Sequence, residues 1–130
     1  MSTHRISAGA LLAALALAGT PALAHHSTAA FDFQKTVEFT GTVKDFQWTN
    51  PHIWLQLVVP GEGGKSTEWS IEGTSPNVLS RQGWTKHSVK AGEKVTVTVH
   101  PLKDGRKGGF MVSAKLSDGT VLYNLPQRPK

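Results

Sequence analysis

Two adjacent histidines, His25 and His26, carry the sharpest chemistry in this chain, because they directly follow Pro21-Ala22-Leu23-Ala24. Ala22-Leu23-Ala24 is an A-x-A cleavage signal of the export type, and cutting after Ala24 makes His25 the first residue of the processed protein. An amino-terminal histidine offers its α-amine and its ring Nδ1 to one metal ion as a chelate. Amine and imidazole nitrogens favour Cu(II) in a tetragonal arrangement. A third nitrogen completes a T-shaped histidine brace, and the rings available are those of His26, His52, His87 and His100. His26 is too close along the backbone to bring its ring to the same ion, although its deprotonated amide can bind. His52 is the better partner. It follows the Asn50-Pro51 turn, which fixes its backbone, and it lies between Trp48 and Trp54. Asp32 is a candidate acceptor to orient a ring. The expected metal set is therefore His25 and His52, with His26 behind them, and the expected ion is copper. Zinc prefers three or four convergent side chains. Cu(I) carriers favour thioethers, and Met111 is the only methionine after Ala24. The architectural alternative is an exposed His-His end that contacts only water.

The tryptophans offer a different chemistry. On a small β-barrel an exposed aromatic face stacks bases, sugars or other flat ligands. Period-two alternation puts Ile53, Leu55 and Leu57 on one face and His52, Trp54 and Gln56 on the other. Trp54, with Trp48 and the turn residue Asn50, is thus the expected ligand platform. Trp69 shares a face with Ile71 and reads as core, and Trp84 reads as a helix-end packing residue. A nucleic-acid partner fits an exported protein poorly.

No pattern for catalysis stands out. There is no cysteine nucleophile, G-x-S-x-G, P-loop or H-E-x-x-H. Glu68 and Glu72 fall on one strand face roughly 13 Å apart at strand rise, too far for a paired-carboxylate site. Glu72 precedes a helix start and reads as a structural acceptor there. A non-catalytic protein is expected.

The elements that must position these residues begin after the leader. Arg5, the apolar run Ala8–Ala18 and the A-x-A site form a secretory signal over residues 1–24. The run is shorter than the roughly 20 residues a membrane span needs, so the processed chain carries no expected span and is placed in the periplasm. Removing residues 1–24 leaves 106 of 130 residues and takes the formal net charge from +5 to +4. That is one domain with a modest core and no disulfide, since the chain has no cysteine. The charges are scattered. Lys103, Arg106 and Lys107 are the densest group, in a Gly-rich turn that reads as a solvated hairpin tip.

Strand signals dominate. They predict strands over Val37–Trp48, His52–Val59, Thr67–Glu72, Lys94–His100, Phe110–Leu116 and Val121–Tyr123, with a bulge or sharp bend at Gly41. Ser75 as N-cap, Pro76 at the first helical position and Gly83 beyond the end predict one short helix. Three strands, a helix and then two or three strands is the order of an OB-fold. The fold class expected is all-β with one short helix, a five- to six-stranded OB-like barrel. The domain covers 25–124, with a frayed tail over 125–130.

His25-His26-Ser27, Trp48-Thr49-Asn50-Pro51-His52 and Glu72-Gly73-Thr74-Ser75-Pro76-Asn77-Val78-Leu79 through Arg81-x-Gly83-Trp84 together resemble a family of small exported bacterial proteins. That family is catalogued as a domain of unknown function and is common in Proteobacteria. The resemblance spans nearly all of the processed chain and implies a periplasmic location and a small β-barrel-like fold. It implies no activity, substrate or ligand. Two function classes follow from the residues: a copper or other transition-metal binder, or an envelope interaction module that takes a protein, glycan or small ligand on the Trp54 face.

Overall fold

The computed structural model describes residues 28–129. Six strands and one short helix follow in the order β1 (Val37–Gln47), β2 (Trp54–Pro60), β3 (Ser66–Glu72), α1 (Pro76–Arg81), β4 (Lys94–Pro101), β5 (Gly108–Lys115) and β6 (Val121–Tyr123). The strands hydrogen-bond in the order β3-β2-β1-β4-β5-β6, and a parallel β3–β5 pairing closes the first five into a barrel. The OB-like architecture is as expected, with β6 appended to β5 and α1 between β3 and β4.

Closure depends on β1 serving two partners. Val37–Thr42 pairs with β4 and Thr42–Gln47 pairs with β2. The strand must bend between the two, and its register shifts between Val43 and Asp45. Gly41 permits the bend: a Cβ there would sit 3.0 Å from the Val58 carbonyl oxygen and 3.1 Å from Val59 Cγ2. The expected irregularity is present, and the bulge itself falls at Lys44.

The barrel interior is the inward face of each alternating strand. Ile53, Leu55, Leu57, Ile71, Val97, Val99 and Ala114 are wholly buried. Removing that apolar surface from water is the main favourable term in folding, at about 25 cal/mol per Å². α1 plugs one end. Ser75 Oγ accepts from the Val78 amide, Pro76 starts the helix, and Gly83 takes φ +88° just past it. Leu79 and Trp84 are buried beneath it. The Trp84 indole N–H donates to the Tyr123 carbonyl at 2.9 Å, so this ring joins the helix end to β6.

Several boundaries shift. β2 begins at Trp54 rather than His52, because Ile53 hydrogen-bonds to Thr74 and Gly73, beyond the end of β3. β1 stops at Gln47, and Trp48 packs against the core beside Phe46 instead of standing exposed. β5 begins at Gly108, whose added Cβ would meet the Ser70 carbonyl oxygen at 2.8 Å. Only glycine allows the parallel β3–β5 contact to close there. Trp69 is partly buried, stacked on Phe39 at 4.3 Å between ring centroids.

A second, smaller apolar cluster covers the outside of the barrel. The segment before β1 runs antiparallel to the end of β4. Lys35 O accepts from the His100 ring, Asp32 N donates to Pro101 O, Phe31 bridges Leu102, and Lys103 N donates to Ala30 O. This lays Phe31 and Phe33 onto Phe110, at 5.6 and 5.9 Å between ring centroids.

Candidate functional site

Ladder register sets a row across the outer face. Trp54 on β2 pairs with Glu72 on β3, Glu72 with Phe110 on β5, and Phe110 with His100 on β4. Directly opposed residues share a face, so these four side chains all point outward. An outward glutamate on a small barrel ordinarily meets water. Here Glu72 is buried, its side chain only 5% exposed.

What buries it comes from distant parts of the chain. Glu72 lies in a cavity of about 300 Å³ whose walls are Trp54, Phe31 and Leu102, with Ser70 alongside. Ser70 Oγ accepts from Gln56 Nε2 at 3.0 Å. Arg106 and Lys107 stand at the mouth, both exposed. Arg106 Nε is 2.7 Å from Asp104 Oδ2. The backbone N–H of Arg106, and then its guanidinium, hold the Asp104 carboxyl below its ordinary value. The Lys107 ammonium lies over the Trp69 ring, 5.4 Å from its centroid.

A buried carboxylate needs compensating partners, and one is His52. Its Nδ1 lies 2.9 Å from the Gly73 carbonyl oxygen and 3.4 Å from Glu72 Oε1. A carbonyl oxygen can only accept, so Nδ1 carries the proton. The neutral ring then has its lone pair on Nε2, and the side chain is 40% exposed. This is the arrangement of a metal-ligating histidine, whose second nitrogen donates to a carbonyl or carboxylate that fixes its tautomer and raises its basicity. Gly73 reaches its place because Ile53 and the Asn124 amide hold it. A Cβ on Gly73 would lie 2.7 Å from Ile53 and 3.1 Å from Asn124 Oδ1. Asn124 is wholly buried, accepts from the Thr74 amide at 2.8 Å and donates to Met111 O at 2.8 Å.

The expected site residues fall into three groups. His25 and His26 lie outside the described residues, as does the whole leader. His52 is held as a ligand would be, and Trp54 lines the cavity. Trp48 and Asn50 do not line it: Trp48 packs on the core edge, and Asn50 is exposed in a cis bond to Pro51. Among the described residues Asp32 meets no histidine ring; its carboxylate accepts from Gln34 N and pairs with Lys35. His87 is exposed. Among the described residues no group of three or more His, Cys, Asp or Glu converges as a metal site. No helix among them is long and apolar enough to cross a membrane.

Glu72 is the residue whose burial sequence reasoning missed. Its carboxylate lies 3.4 Å from His52 Nδ1, while Ser75 caps α1. The one available signal was parity: Ile71 faces inward, so Glu72 must face outward beside Trp54 and His52.

Residues 12–112 match a family described as a family of unknown function, DUF6152. The match begins within the segment read as a leader and ends in β5, and so takes in His25, His26, His52, Trp54 and Glu72. No curated protein matches the chain. With well over half of its length inside the match, the chain belongs to this family of unknown function.

Proposed function

We propose that the processed chain is a non-catalytic periplasmic binding protein that holds one Cu(II) ion. The ligands in this reading are the α-amine and Nδ1 of His25 and the Nε2 of His52, with the amide of His26 as a further donor. The observation that carries it is the state of His52. Its Nδ1–H is spent on the Gly73 carbonyl, with Glu72 Oε1 3.4 Å away, which leaves Nε2 as the ring atom available to a metal.

Chain reach supports the pairing. Phe31 stacks on Phe110 of β5, and His52 immediately precedes β2, two strands away. Two strand spacings are about 10 Å. Six residues separate Phe31 from His25, and six residues can span about 20 Å. Direction supports it as well. Traced towards its start, the segment passes His100 at Lys35, Pro101 at Asp32 and Lys103 at Ala30, and so moves away from His100. The buried Glu72 carboxyl behind the ring, 3.4 Å from Nδ1, is placed to orient it.

The test compares two preparations titrated with Cu(II): the chain beginning at His25, and the same chain with one additional amino-terminal residue. Blocking the amine chelate is expected to weaken binding by at least about tenfold. Equal affinities would remove the amino-terminal ligand and with it this reading. Mass spectrometry of the exported protein checks that cleavage falls after Ala24.

A further inference from the structure

The β5–β6 hairpin carries an apolar surface that copper binding does not account for. Three of the five exposed large hydrophobic residues among those described are Val121, Tyr123 and Leu125, at 42, 40 and 47% exposure. Ladder register explains the first two. Ala114 on β5 is wholly buried, so Ser113 and Lys115 on either side of it face outward. Tyr123 lies opposite Ser113 and Val121 opposite Lys115, so both share that outer face. Leu122 between them pairs with Ala114 and packs against the core. A sheet with one wet face ordinarily alternates apolar inside with polar outside. β6 is apolar on both sides.

The same face is cationic. Lys115 is exposed beside Val121, and on its other side it opposes Thr96 of β4. Lys94, two residues before Thr96, lies on that face as well and is exposed. Arg128 follows Leu125 in the exposed tail. Among the described residues none of these three forms an ion pair, whereas Lys35, Lys44 and Arg106 each have an acidic partner. The acids that border the face are engaged locally. Asp118 Oδ1 accepts from the Thr120 N–H at 2.8 Å, and Glu38 Oε2, at the far edge on β1, accepts from Thr98 Oγ1 at 3.3 Å.

A strand-adding partner fits this edge poorly. β6 is three residues long, and the Tyr123 carbonyl is already taken by the Trp84 indole N–H at 2.9 Å. That leaves too short a run of free backbone groups for another chain to pair with. What the hairpin presents is side chains: an apolar ridge with a phenol on it and cations around it. Tyrosine suits a boundary where its ring meets apolar matter and its hydroxyl meets water, and lysine beside it is attracted to anionic head groups. We infer that the β5–β6 hairpin docks the protein on the surface of a bilayer that contains anionic phospholipid. Val121, Tyr123 and Leu125 enter the head-group layer, and Lys115, Lys94 and Arg128 meet the lipid phosphates. This is a peripheral contact rather than a span. None of these residues is a proposed copper ligand, so the inference stands apart from the copper reading.

The test is sedimentation of the mature chain with vesicles of phosphatidylcholine alone and of equimolar phosphatidylcholine and phosphatidylglycerol. Binding is expected to the mixed vesicles only, and to be lost in about 1 M salt, where charges are screened over about 3 Å. Lys115→Glu should weaken it by about tenfold or more, since each basic residue at such a surface contributes about fivefold. Tyr123→Ser and Leu125→Ser leave every charge in place and should each weaken it by about threefold or more. Lys65→Glu, in the turn between β2 and β3, makes the same change in net charge away from the hairpin. It should weaken binding by no more than about twofold. Circular dichroism confirms that each variant is folded, and Leu125 lies outside the strands, so its variant serves even if β6 is disturbed by the other. Failure to bind the mixed vesicles, equal losses in Lys65→Glu and Lys115→Glu, or full binding by both serine variants overturns the inference. Self-association of the lipid-free chain that Tyr123→Ser abolishes also overturns it, and assigns the face to a second copy.

Discussion

His52 and His100 are held alike and surrounded differently. Each ring donates from Nδ1 to a backbone carbonyl, Gly73 O at 2.9 Å and Lys35 O at 2.7 Å. Each therefore keeps the same tautomer, with its lone pair on Nε2. They differ in what lies behind the ring. His52 has the buried Glu72 carboxylate at 3.4 Å, whereas His100 has the Phe33 ring at 5.0 Å between centroids. A locked tautomer alone thus describes both an architectural histidine and a candidate ligand. The buried carboxyl beside His52 separates them.

Three substitutions probe that contrast. The largest effect is expected from Asn124→Ala. Its side-chain amide accepts from the Thr74 N–H and donates to Met111 O, and so supports the Gly73 carbonyl beneath His52; none of these bonds goes to His100. Leaving those buried partners unsatisfied should cost about 2–4 kcal/mol, read as a lower urea midpoint. An unchanged midpoint would show that the His52 end is not held from Asn124.

Glu72→Gln should come next. It keeps the shape and removes the charge, and loss of such an outer partner typically costs about tenfold in metal affinity. Cu(II) affinity is the measurement, and an unaltered value would mean that Glu72 serves the fold alone. The smallest effect belongs to the other histidine. Phe33→Ala removes ring contacts with His100, Phe31 and Phe110, worth about 1 kcal/mol of stability. Thermal unfolding should show that loss while Cu(II) affinity stays at the wild-type value. A drop in affinity would draw His100 into the metal site.

The barrel was legible in the sequence because its determinants are local. Alternation from Ile53 to Leu57 and from Val95 to Val99 marks an inner face without reference to any other residue. Ser75, Pro76 and Gly83 mark the helix in the same way. The site was half legible. His52 stood out beside Pro51, and parity put Trp54 on the outer face. The burial of Glu72 was not visible, because a strand glutamate on an outward face ordinarily reads as solvated. Phe31 and the β4–β5 loop cover it, and both come from positions far away in the chain. The parallel β3–β5 contact that brings the loop over β3 is equally long-range. Trp48 looked like a platform because it ends the expected first strand just before the turn, yet it packs against Phe46 and the core edge.

The most direct measurement of the central claim is the Cu(II) affinity of His52→Ala against His100→Ala, each in the mature chain that begins at His25. The account predicts that His52→Ala loses about tenfold or more and that His100→Ala binds as wild type does. Equal affinities for the two variants, or a loss confined to His100→Ala, would contradict it.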